Sequence, residues 1–478
     1  MTLHQETTST TVEVRNLPGP GGLPFIGNLH QIRFSRLHLD LEKWADRYGP
    51  VFRIRLGPSD VVVVSDRATI QRLLVQRPQA FRRTRALESV AKEMRLKGVF
   101  AAEGDDWRRQ RRIVAAALNR ARLEDFFPRL VMTAERLRRR WQHAADRGDT
   151  IDLCNDLMRF TVDVTIGLAF GIDANTLETS GPVIQRHLDK VFPTLHRRVN
   201  APFPYWRYMR MPSDRALDRA LDHLEDEVNA MVRTARERMA EKPEPTNFIE
   251  AILAALEDEG SGFTDAEIFA NAGTLLLAGE DTTANSTGWA VHYFMQYPEH
   301  FDRARHEVDR LIAPAQAIET LEQTRQLPFI DAFNNEAMRL KPVAPLHVLE
   351  PVSDVEFMGC HVPRGTTIMM LARREATREE HFANARRFDP ERWLDPDRPS
   401  PHDPRAFLPF GAGPRLCPGR AIALTQIRTV LAMLVRNFDI HPAGADVDEC
   451  LAFTMFPANL RVRLTPRPKG TRQPPPDA

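Results

Sequence analysis

The sequence predicts one large, mainly α-helical domain with small β-sheets, and three observations lead to that prediction. Apolar residues recur at three-four spacing from about 66 to 258, which is the spacing of amphipathic helices. Short strand-like runs lie toward the two ends, at 51–66, 348–371 and 439–465. No repeat and no Gly/Ser linker divides the 478 residues, so one domain is expected although the length alone suggests about three.

Composition and charge exclude several classes of protein. Hydrophobic residues make up 42% and charged residues 27%, which excludes collagen-like, mucin-like and largely disordered chains. The net charge is +1, so no global field attracts nucleic acid or an anionic membrane. The polar N-terminal segment lacks the apolar core of a signal peptide or membrane anchor, and the four cysteines form no CxxC pair. We therefore expect a cytoplasmic chain with reduced thiols and no structural zinc.

The N-terminal elements follow from turn residues and periodicity. Residues 1–16 are expected to be disordered, residues 17–466 to form the domain, and residues 467–478 to be a flexible tail. Proline and glycine preclude a helix over 17–31, and a short amphipathic helix is expected at about 37–48. Two strands are predicted over 51–66, with a turn at 57–59.

A long central helix is predicted in the second half of the chain. Thr264 and Glu267 have the spacing of a capping box at its start, and Pro298 ends it. The pattern spans more than thirty residues, or roughly 50 Å at 1.5 Å per residue. Such a helix crosses the whole domain.

The middle of this helix reads Ala-Gly-Glu-Asp-Thr-Thr over 278–283, and it allows two interpretations. In the first, Gly279 permits close packing within a solvated segment. In the second, the helix is distorted beside a ligand, and Asp281 and Thr282 handle protons. A threonine hydroxyl in a helix can bond back to the carbonyl four residues earlier.

The segment 407–420 is the most informative part of the sequence. Three glycines and three prolines predict a rigid loop, and an apolar-periodic helix follows. Cys417 should lie at the N-terminus of that helix with Pro418 in its first turn, where amide donors favour a thiolate. A thiolate held in this way is a metal ligand or a nucleophile. The other cysteines are expected to be buried apolar side chains.

Together, these segments resemble the cytochrome P-450 family. Six motifs match in the family's order between residues 17 and 419, nearly the whole chain. They are the haem-binding loop FGAGPRLCPG (Phe410, Gly411, Gly413, Arg415, Cys417, Gly419), the oxygen-activating AGEDTT, the ExxR pair Glu336 and Arg339, the PERF-type FDPERW containing Arg392, the C-helix WRRQR beginning at Trp107, and the proline-rich hinge LPGPGGLPFIGN.

The resemblance implies a triangular haem-thiolate helical prism and a role for each matching residue. Cys417 would be the axial iron ligand of heme b, covered by Phe410. Trp107, Arg111 and Arg415 would pair with the haem propionates, and Asp281 and Thr282 would deliver protons. Glu336, Arg339 and Arg392 would form a structural ion pair behind the haem. The substrate pocket is assigned to Phe100, Ala278 and Phe456.

The implied function is a monooxygenase that inserts one oxygen atom of O2 into a small apolar substrate, by hydroxylation or epoxidation. Separate redox partners are expected, a ferredoxin or flavodoxin with an NAD(P)H-dependent reductase. The chain resembles a soluble bacterial-type member, a monomer with a microsomal-like catalytic domain and no nucleic-acid partner. The alternatives are a haem-thiolate peroxygenase or isomerase and a non-enzymatic haem sensor.

Two segments depart from the family's pattern, and a third carries an expectation about redox partners. Leu349 and Glu350 stand where many relatives carry an arginine that reaches a propionate, and His347 lies nearby. Arg373 to Ala376 replace the usual HRDP segment. Apart from Arg111, the arginines of the C-helix motif, Arg108, Arg109 and Arg112, are expected to face outward toward a redox partner.

Overall fold

In the computed structural model, helices dominate and four small sheets flank them. The structure describes residues 11–179, 191, 194–195, 197–199, 201, 204–259, 263–395 and 402–467. Residues 1–10 and 468–478, and with them most of the expected tail, lie outside the described residues.

Helices form where the apolar periodicity predicts them. They are α1 (Leu37–Tyr48), α2 (Arg67–Val75), α3 (Arg85–Glu93), α4 (Gly104–Ala117), α5 (Arg120–Arg147), α6 (Leu153–Phe170), α7 (Pro212–Glu241), α8 (Phe248–Glu259), α9 (Asp265–Gln296), α10 (Pro298–Ile312), α11 (Leu321–Thr324), α12 (Pro328–Leu340), α13 (Ala372–Ala376) and α14 (Arg420–Asn437).

The strands are short. They are β1 (Val12–Glu13), β2 (Val51–Leu56), β3 (Ser59–Val64), β4 (Phe81–Arg82), β5 (Ile151–Asp152), β6 (His347–Pro351), β7 (Val355–Phe357), β8 (Cys360–Val362), β9 (Thr367–Met370), β10 (Phe438–Pro442), β11 (Asp448–Leu451), β12 (Met455–Ala458) and β13 (Arg461–Pro466).

The largest sheet joins the two ends of the chain. Its strand order is β2-β3-β9-β6-β4, and β3 pairs with β9 in parallel, with Val61 opposite Thr367. The other sheets are β1-β8-β7, β10-β13-β5 and the hairpin β11-β12. The predicted runs at 51–66 and 348–371 therefore meet in one sheet, whereas the run at 439–465 forms strands of two other sheets.

The long helix α9 lies at the centre of the core. Its capping box between Thr264 and Glu267 forms as predicted, and its 32 residues extend about 48 Å. Buried side chains of α5, α6, α10, α12 and α14 pack with it into one apolar cluster. No helix among the described residues is both long enough and apolar enough to cross a membrane.

The expectation of disorder over residues 1–16 is wrong for its last residues. Val12 and Glu13 pair in parallel with Cys360 and His361 of β8. The Val14 side chain is buried in the cluster beneath the large sheet, so apolar burial and backbone pairing together order this segment. The sequence gives a weak signal here because only two residues form the strand.

Candidate active site

The cysteine loop is shaped by backbone hydrogen bonds and two glycines. The Cys417 amide donates to the carbonyl of Phe410 at 3.0 Å, and the Leu416 amide donates to that of Gly413, also at 3.0 Å. Gly411 and Gly413 have φ of 74° and 69°, a region that favours glycine. A Cβ at Gly413 would lie 2.7 Å from the Cα of Val75, so the loop also needs this glycine to approach α2.

The Cys417 thiol differs from the prediction in two respects. Helix α14 begins at Arg420 with Gly419 as its N-cap, so Pro418 precedes the helix rather than occupying its first turn. Burial raises the pKa of the Cys417 thiol, and the amides of Gly419 and Arg420 only partly offset that effect. The residue nevertheless keeps accessible surface.

Arginines from three segments meet beside this loop. Arg415 ion-pairs with Glu103 at 2.5 Å, and Arg77 lies 3.6 Å from the same carboxylate. The Arg83 guanidinium stacks over Phe100, 3.7 Å from the ring centroid, and Arg83 Nε donates to the Phe100 carbonyl at 2.6 Å. Two guanidinium groups therefore share the Glu103 carboxylate, which also accepts a hydrogen bond from the Arg83 backbone amide at 3.0 Å. We call Arg77, Arg83 and Arg415 the arginine cluster.

The electrostatics of the arginine cluster show an excess of positive charge. Burial, and then the charges of Arg77 and Arg415, lower the pKa of Arg83 well below its usual value. Burial together with neighbouring arginines lowers the pKa of Arg415 to about 9, although Glu103 opposes this. Buried Nε and Nη1 of Arg415, and Nε and Nη2 of Arg77, have no hydrogen-bond partner among the described residues. Such a site is suited to carboxylate ligands.

His347 lies next to the arginine cluster. Burial and the charges of Arg83 and Arg77 lower the pKa of its imidazole to about 4, so the ring is neutral at physiological pH. Its buried Nε2 has no hydrogen-bond partner among the described residues. Leu349 is in the core and Glu350 pairs with Arg82 and Arg85, so His347 is the residue of β6 that faces the cluster.

Trp107 and Arg111 of α4 hold the other side of the loop. The Trp107 ring is buried, and the guanidinium carbon of Arg415 lies over it, 4.3 Å from the ring centroid. Arg111 Nη2 donates to the Leu416 carbonyl at 2.6 Å. The structure therefore brings Trp107, Arg111, Phe410, Arg415 and Cys417 together around the cysteine loop.

The predicted ion pair behind the loop is formed and buried. Arg339 makes a bidentate contact with Glu336, with both N–O distances 2.8 Å. Arg392 Nε donates to the same carboxylate at 3.0 Å, as does Trp393 Nε1. Arg339 also donates to the carbonyls of Ala376 and Ala385, so it joins α12 to the segment that precedes the cysteine loop.

Residues in the interior of α9 contact a neighbouring helix, the helix's own backbone and a distant loop. A Cβ at Gly279 would lie 2.7 Å from Thr165 Oγ1 of α6, so this glycine permits close helix packing. Thr282 Oγ1 donates to the Ala278 carbonyl at 2.7 Å, which is the predicted back-bond. Asp281 contacts Asn285 and Thr454, and Ala278 is exposed.

Aromatic residues assigned to the substrate pocket lie on two different segments of the chain. Phe100 meets Phe453 edge to face, with ring centroids 6.1 Å apart. Pro457 of β12 lies within 3.3 Å of the Cβ position of Gly288 in α9. Since side chains alternate along a strand, Phe456 points to the opposite face. The hairpin tip therefore places Phe453 against Phe100, while Phe456 lies on the face of β12 opposite to Pro457.

The outward orientation expected for the arginines of α4 is wrong for one of them. Arg109 makes a bidentate ion pair with Glu267 of α9 and is half-buried. Arg108 is exposed and pairs with Asp105, and Arg112 is exposed. The capping-box carboxylate of α9 thus takes Arg109 out of the candidate docking surface.

Arg373, from the segment that departs from HRDP, anchors the hairpin β11-β12. It contacts Glu42 of α1 at 2.7 Å and Glu449 of β11 at 2.5 Å. Glu449 also pairs with His38 and Lys341. Burial opposes ionisation of Glu449, but these three partners outweigh it and hold its pKa well below the usual value. We call Glu42, His38, Lys341, Arg373 and Glu449 the hairpin anchor.

Comparisons with known proteins agree with this geometry. The family described as Cytochrome P450 matches residues 17–461. Pentalenene oxygenase of Streptomyces avermitilis is 27% identical over 460 residues, covering 94% of this chain and 97% of that protein. Cyclooctat-9-en-7-ol 5-monooxygenase of Streptomyces melanosporofaciens is 26% identical over 427 residues, covering 88% and 89%.

A solved structure shows the same fold. The crystal structure of the cytochrome P450DA heme domain superimposes with a TM-score of 0.84 at 20% identity, covering 95% of this chain and 98% of that one. The residues matched by the family include the cysteine loop, the ExxR pair and the long helix α9. The chain therefore belongs to the cytochrome P450 family and is a monooxygenase of that family.

Proposed function

We propose that the protein uses heme b to insert one oxygen atom of O2 into a small apolar substrate, by hydroxylation or epoxidation. Membership in the family implies haem with a cysteine thiolate ligand. The residues present fit that group: Cys417 would ligate the iron, and the arginine cluster with His347 would hold the two propionates. The orphaned guanidinium and imidazole nitrogens of that cluster carry this assignment.

Haem would supply the chemistry of oxygen activation, to which a thiolate ligand contributes electron density. The protein supplies binding and protons. Trp107 and Arg111 support the cysteine loop, and Phe410 lies beside the sulfur ligand. Asp281 and Thr282 are the proton-handling pair, because a carboxyl and a hydroxyl are adjacent near the middle of the central helix α9. Phe100 and Ala278 border the substrate.

Electrons come from separate redox partners in this proposal, a ferredoxin or flavodoxin with an NAD(P)H-dependent reductase. The docking surface consists of Arg108 and Arg112 on α4 and Arg420 at the start of α14. All three are exposed and flank the cysteine loop. The four free cysteines support a reducing, cytoplasmic compartment, and the enzyme acts as a monomer.

Turnover with two electron sources tests this function. The holoenzyme is supplied with NADPH, a plant-type ferredoxin and its reductase, or with hydrogen peroxide alone, and apolar candidate substrates are first screened by the change in haem spin state. We expect O2-dependent product in the first case and little in the second. Efficient turnover by peroxide alone would identify a peroxygenase, and haem binding without turnover would indicate a sensor.

A substitution at Thr282 tests the proton-handling pair. Thr282→Ala should keep haem and substrate binding but release more hydrogen peroxide per NADPH, since proton transfer by positioned groups contributes about 10²–10⁴-fold. Thr282→Ser keeps the hydroxyl and should behave like the wild type. Unchanged coupling in Thr282→Ala would remove this residue from the proposal.

A further inference from the structure

The carboxylate of Asp281 is held by a residue that lies far away in the sequence. Its Oδ1 accepts a hydrogen bond from Asn285 Nδ2 at 2.7 Å, and its Oδ2 accepts one from the Thr454 hydroxyl. Asn285 Nδ2 also donates to Thr454 Oγ1 at 3.2 Å. Asn285 and Thr454 are buried, so both donors reach the carboxylate from the interior of the protein.

Thr454 sits at the tip of the hairpin β11-β12, between the two strands. The tip is fixed from several directions. The Met455 amide donates to the Val343 carbonyl at 2.8 Å, Trp289 Nε1 donates to the Met455 carbonyl at 3.4 Å, and the hairpin anchor holds Glu449. The position of the Thr454 hydroxyl is therefore set by the fold and not by Asp281 itself.

The residue next to Thr454 contacts the substrate side of the site. Phe453 contacts Phe100 edge to face, and the Arg83 guanidinium stacks over the Phe100 ring. A displacement of Phe453 by a substrate would be transmitted through a single peptide bond to Thr454. The hairpin tip thus contacts both the pocket aromatics and the carboxylate on α9.

We propose that Thr454 is a positioning residue that holds the Asp281 carboxylate for proton delivery, and that the hairpin tip connects this carboxylate to the substrate pocket. The inference rests on the proposed role of Asp281 in proton delivery. It goes further because it assigns the orientation of that carboxylate to β11-β12, an element outside the central helix.

The electrostatic surroundings of Asp281 support this assignment. Burial raises the pKa of its carboxyl, and the hydrogen bonds from Thr454 and Asn285 oppose that rise. From α6 the group that faces it is the Cys154 thiol, whose pKa burial and nearby carboxylates raise to about 12, so it is neutral. Because this thiol carries no positive charge, the Thr454 hydroxyl and the Asn285 amide are the groups that stabilise the Asp281 carboxylate.

The test removes the hydroxyl and follows Asp281 directly. In the holoenzyme, the carboxyl band of Asp281 is assigned by infrared difference spectroscopy as the band lost in Asp281→Asn, and it is titrated with pH. Thr454→Val should shift this titration to higher pH, since the anion loses a donor, and Thr454→Ser should restore it. Thr454→Ala repeats the removal should the valine variant be unstable.

Thr287→Val is the matched control. Thr287 is a buried threonine on α9 whose hydroxyl donates to the Thr283 carbonyl at 2.8 Å, so its loss should leave the Asp281 titration unchanged. The second measurement is hydrogen peroxide released per NADPH with a plant-type ferredoxin and its reductase. This ratio should rise in Thr454→Val and in Asp281→Asn but not in Thr454→Ser.

The two readouts separate failure of the inference from failure of the proposed function. If Asp281→Asn raises the peroxide ratio while Thr454→Val matches the wild type in titration and peroxide, the positioning role is overturned and proton delivery by Asp281 stands. If Asp281→Asn leaves the peroxide ratio unchanged, proton delivery by Asp281 is wrong, and the inference that depends on it falls with it.

Discussion

Cys417 is placed by the backbone of its loop more than by contacts of its own side chain. Gly411 and Gly413 adopt left-handed conformations, and Arg111 fixes the Leu416 carbonyl immediately before the cysteine. These constraints present the sulfur at a fixed point in front of α14. A ligand atom held in this way needs little reorganisation when a metal binds.

Replacement of this sulfur gives the most direct prediction. Cys417→Ser should abolish the CO-difference spectrum of a thiolate-ligated haem, because serine offers no thiolate. Cys450→Ser on β11, a half-buried cysteine, is the control and should keep the spectrum. The reverse pattern would mean that the axial ligand has been misassigned.

Some residues of the site lie in one recognisable sequence motif, and others come from segments far apart in the sequence. Cys417, Arg415 and Phe410 lie in one loop whose glycines and prolines mark it in the sequence. Arg77, Arg83, Glu103 and Thr454 come from separate segments and belong to none of the six motifs, and arginines and threonines are common on surfaces. Their role arises only when the fold brings them together. A cluster of arginines before the C-helix motif is the one signal that could have pointed to Arg83.

At the scale of elements, the contact between α6 and α9 depends on a missing side chain. Gly279 costs helix stability of about 1 kcal/mol relative to alanine. A Cβ there would, however, meet Thr165 Oγ1 at 2.7 Å and Cγ2 at 3.2 Å, and Thr165 is buried. Overpacking of this kind typically costs about 1–3 kcal/mol.

The effect of Gly279→Ala on the melting temperature should therefore depend on which residue stands at position 165. Gly279→Ala alone should lower the melting temperature, followed by circular dichroism of the holoenzyme. In a Thr165→Ala background, the clashing atoms are gone, and Gly279→Ala should raise the melting temperature through helix propensity. An identical effect of Gly279→Ala in both backgrounds would show that Thr165 is not what excludes the Cβ.

The hairpin anchor makes a stability prediction with a defined pH dependence. The Glu449 carboxyl has a folded pKa held well below its usual value, whereas the unfolded value is about 4.3. Its stabilisation is therefore complete above that pH and is lost as the pH falls toward the folded pKa. Breaking one partner of a buried ion pair costs about 3–5 kcal/mol.

Glu449→Gln should lower the melting temperature at pH 7, and the difference from the wild type should narrow as the pH falls below about 4.3. Glu356→Gln on β7 is the control, because Glu356 is exposed, and it should have little effect at either pH. A constant difference for Glu449→Gln across this range would show that its charge does not anchor the hairpin.

At the scale of the whole molecule, a net charge of +1 leaves partner recognition to a local surface. Arg112→Glu with Arg420→Glu should slow reduction by an acidic ferredoxin and flatten its salt dependence, since steering is screened over about 8 Å at physiological ionic strength. Arg461→Glu with Arg463→Glu on β13 is the control, because it changes the net charge by the same amount on a different surface.

Stopped-flow reduction at several salt concentrations measures this effect, and reduction by dithionite bypasses docking. The β13 pair and the dithionite reaction should match the wild type. Equal slowing by both charge-reversed pairs would indicate net charge rather than a docking surface at the cysteine loop.

The sequence predicts the positions of helices better than it predicts which strands pair. The periodicity predicts α1 at 37–48 and the capping box predicts the start of α9, because both signals are local. Sheet composition was not predictable in this way: β4 and β5 contain two residues each, and the pairing of β3 with β9 depends on contacts between distant segments. Strand register is set by those tertiary contacts.

The pairing of β3 with β9 has a consequence for biosynthesis. Val61–Val64 are buried, and one edge of their strand pairs with β9, which follows about 300 residues later. At a translation rate of about 5–20 residues per second, a ribosome needs roughly 15–60 s to produce that partner. During this interval the nascent chain presents an apolar strand edge, so chaperones that shield such edges should determine how much of the newly made chain escapes aggregation.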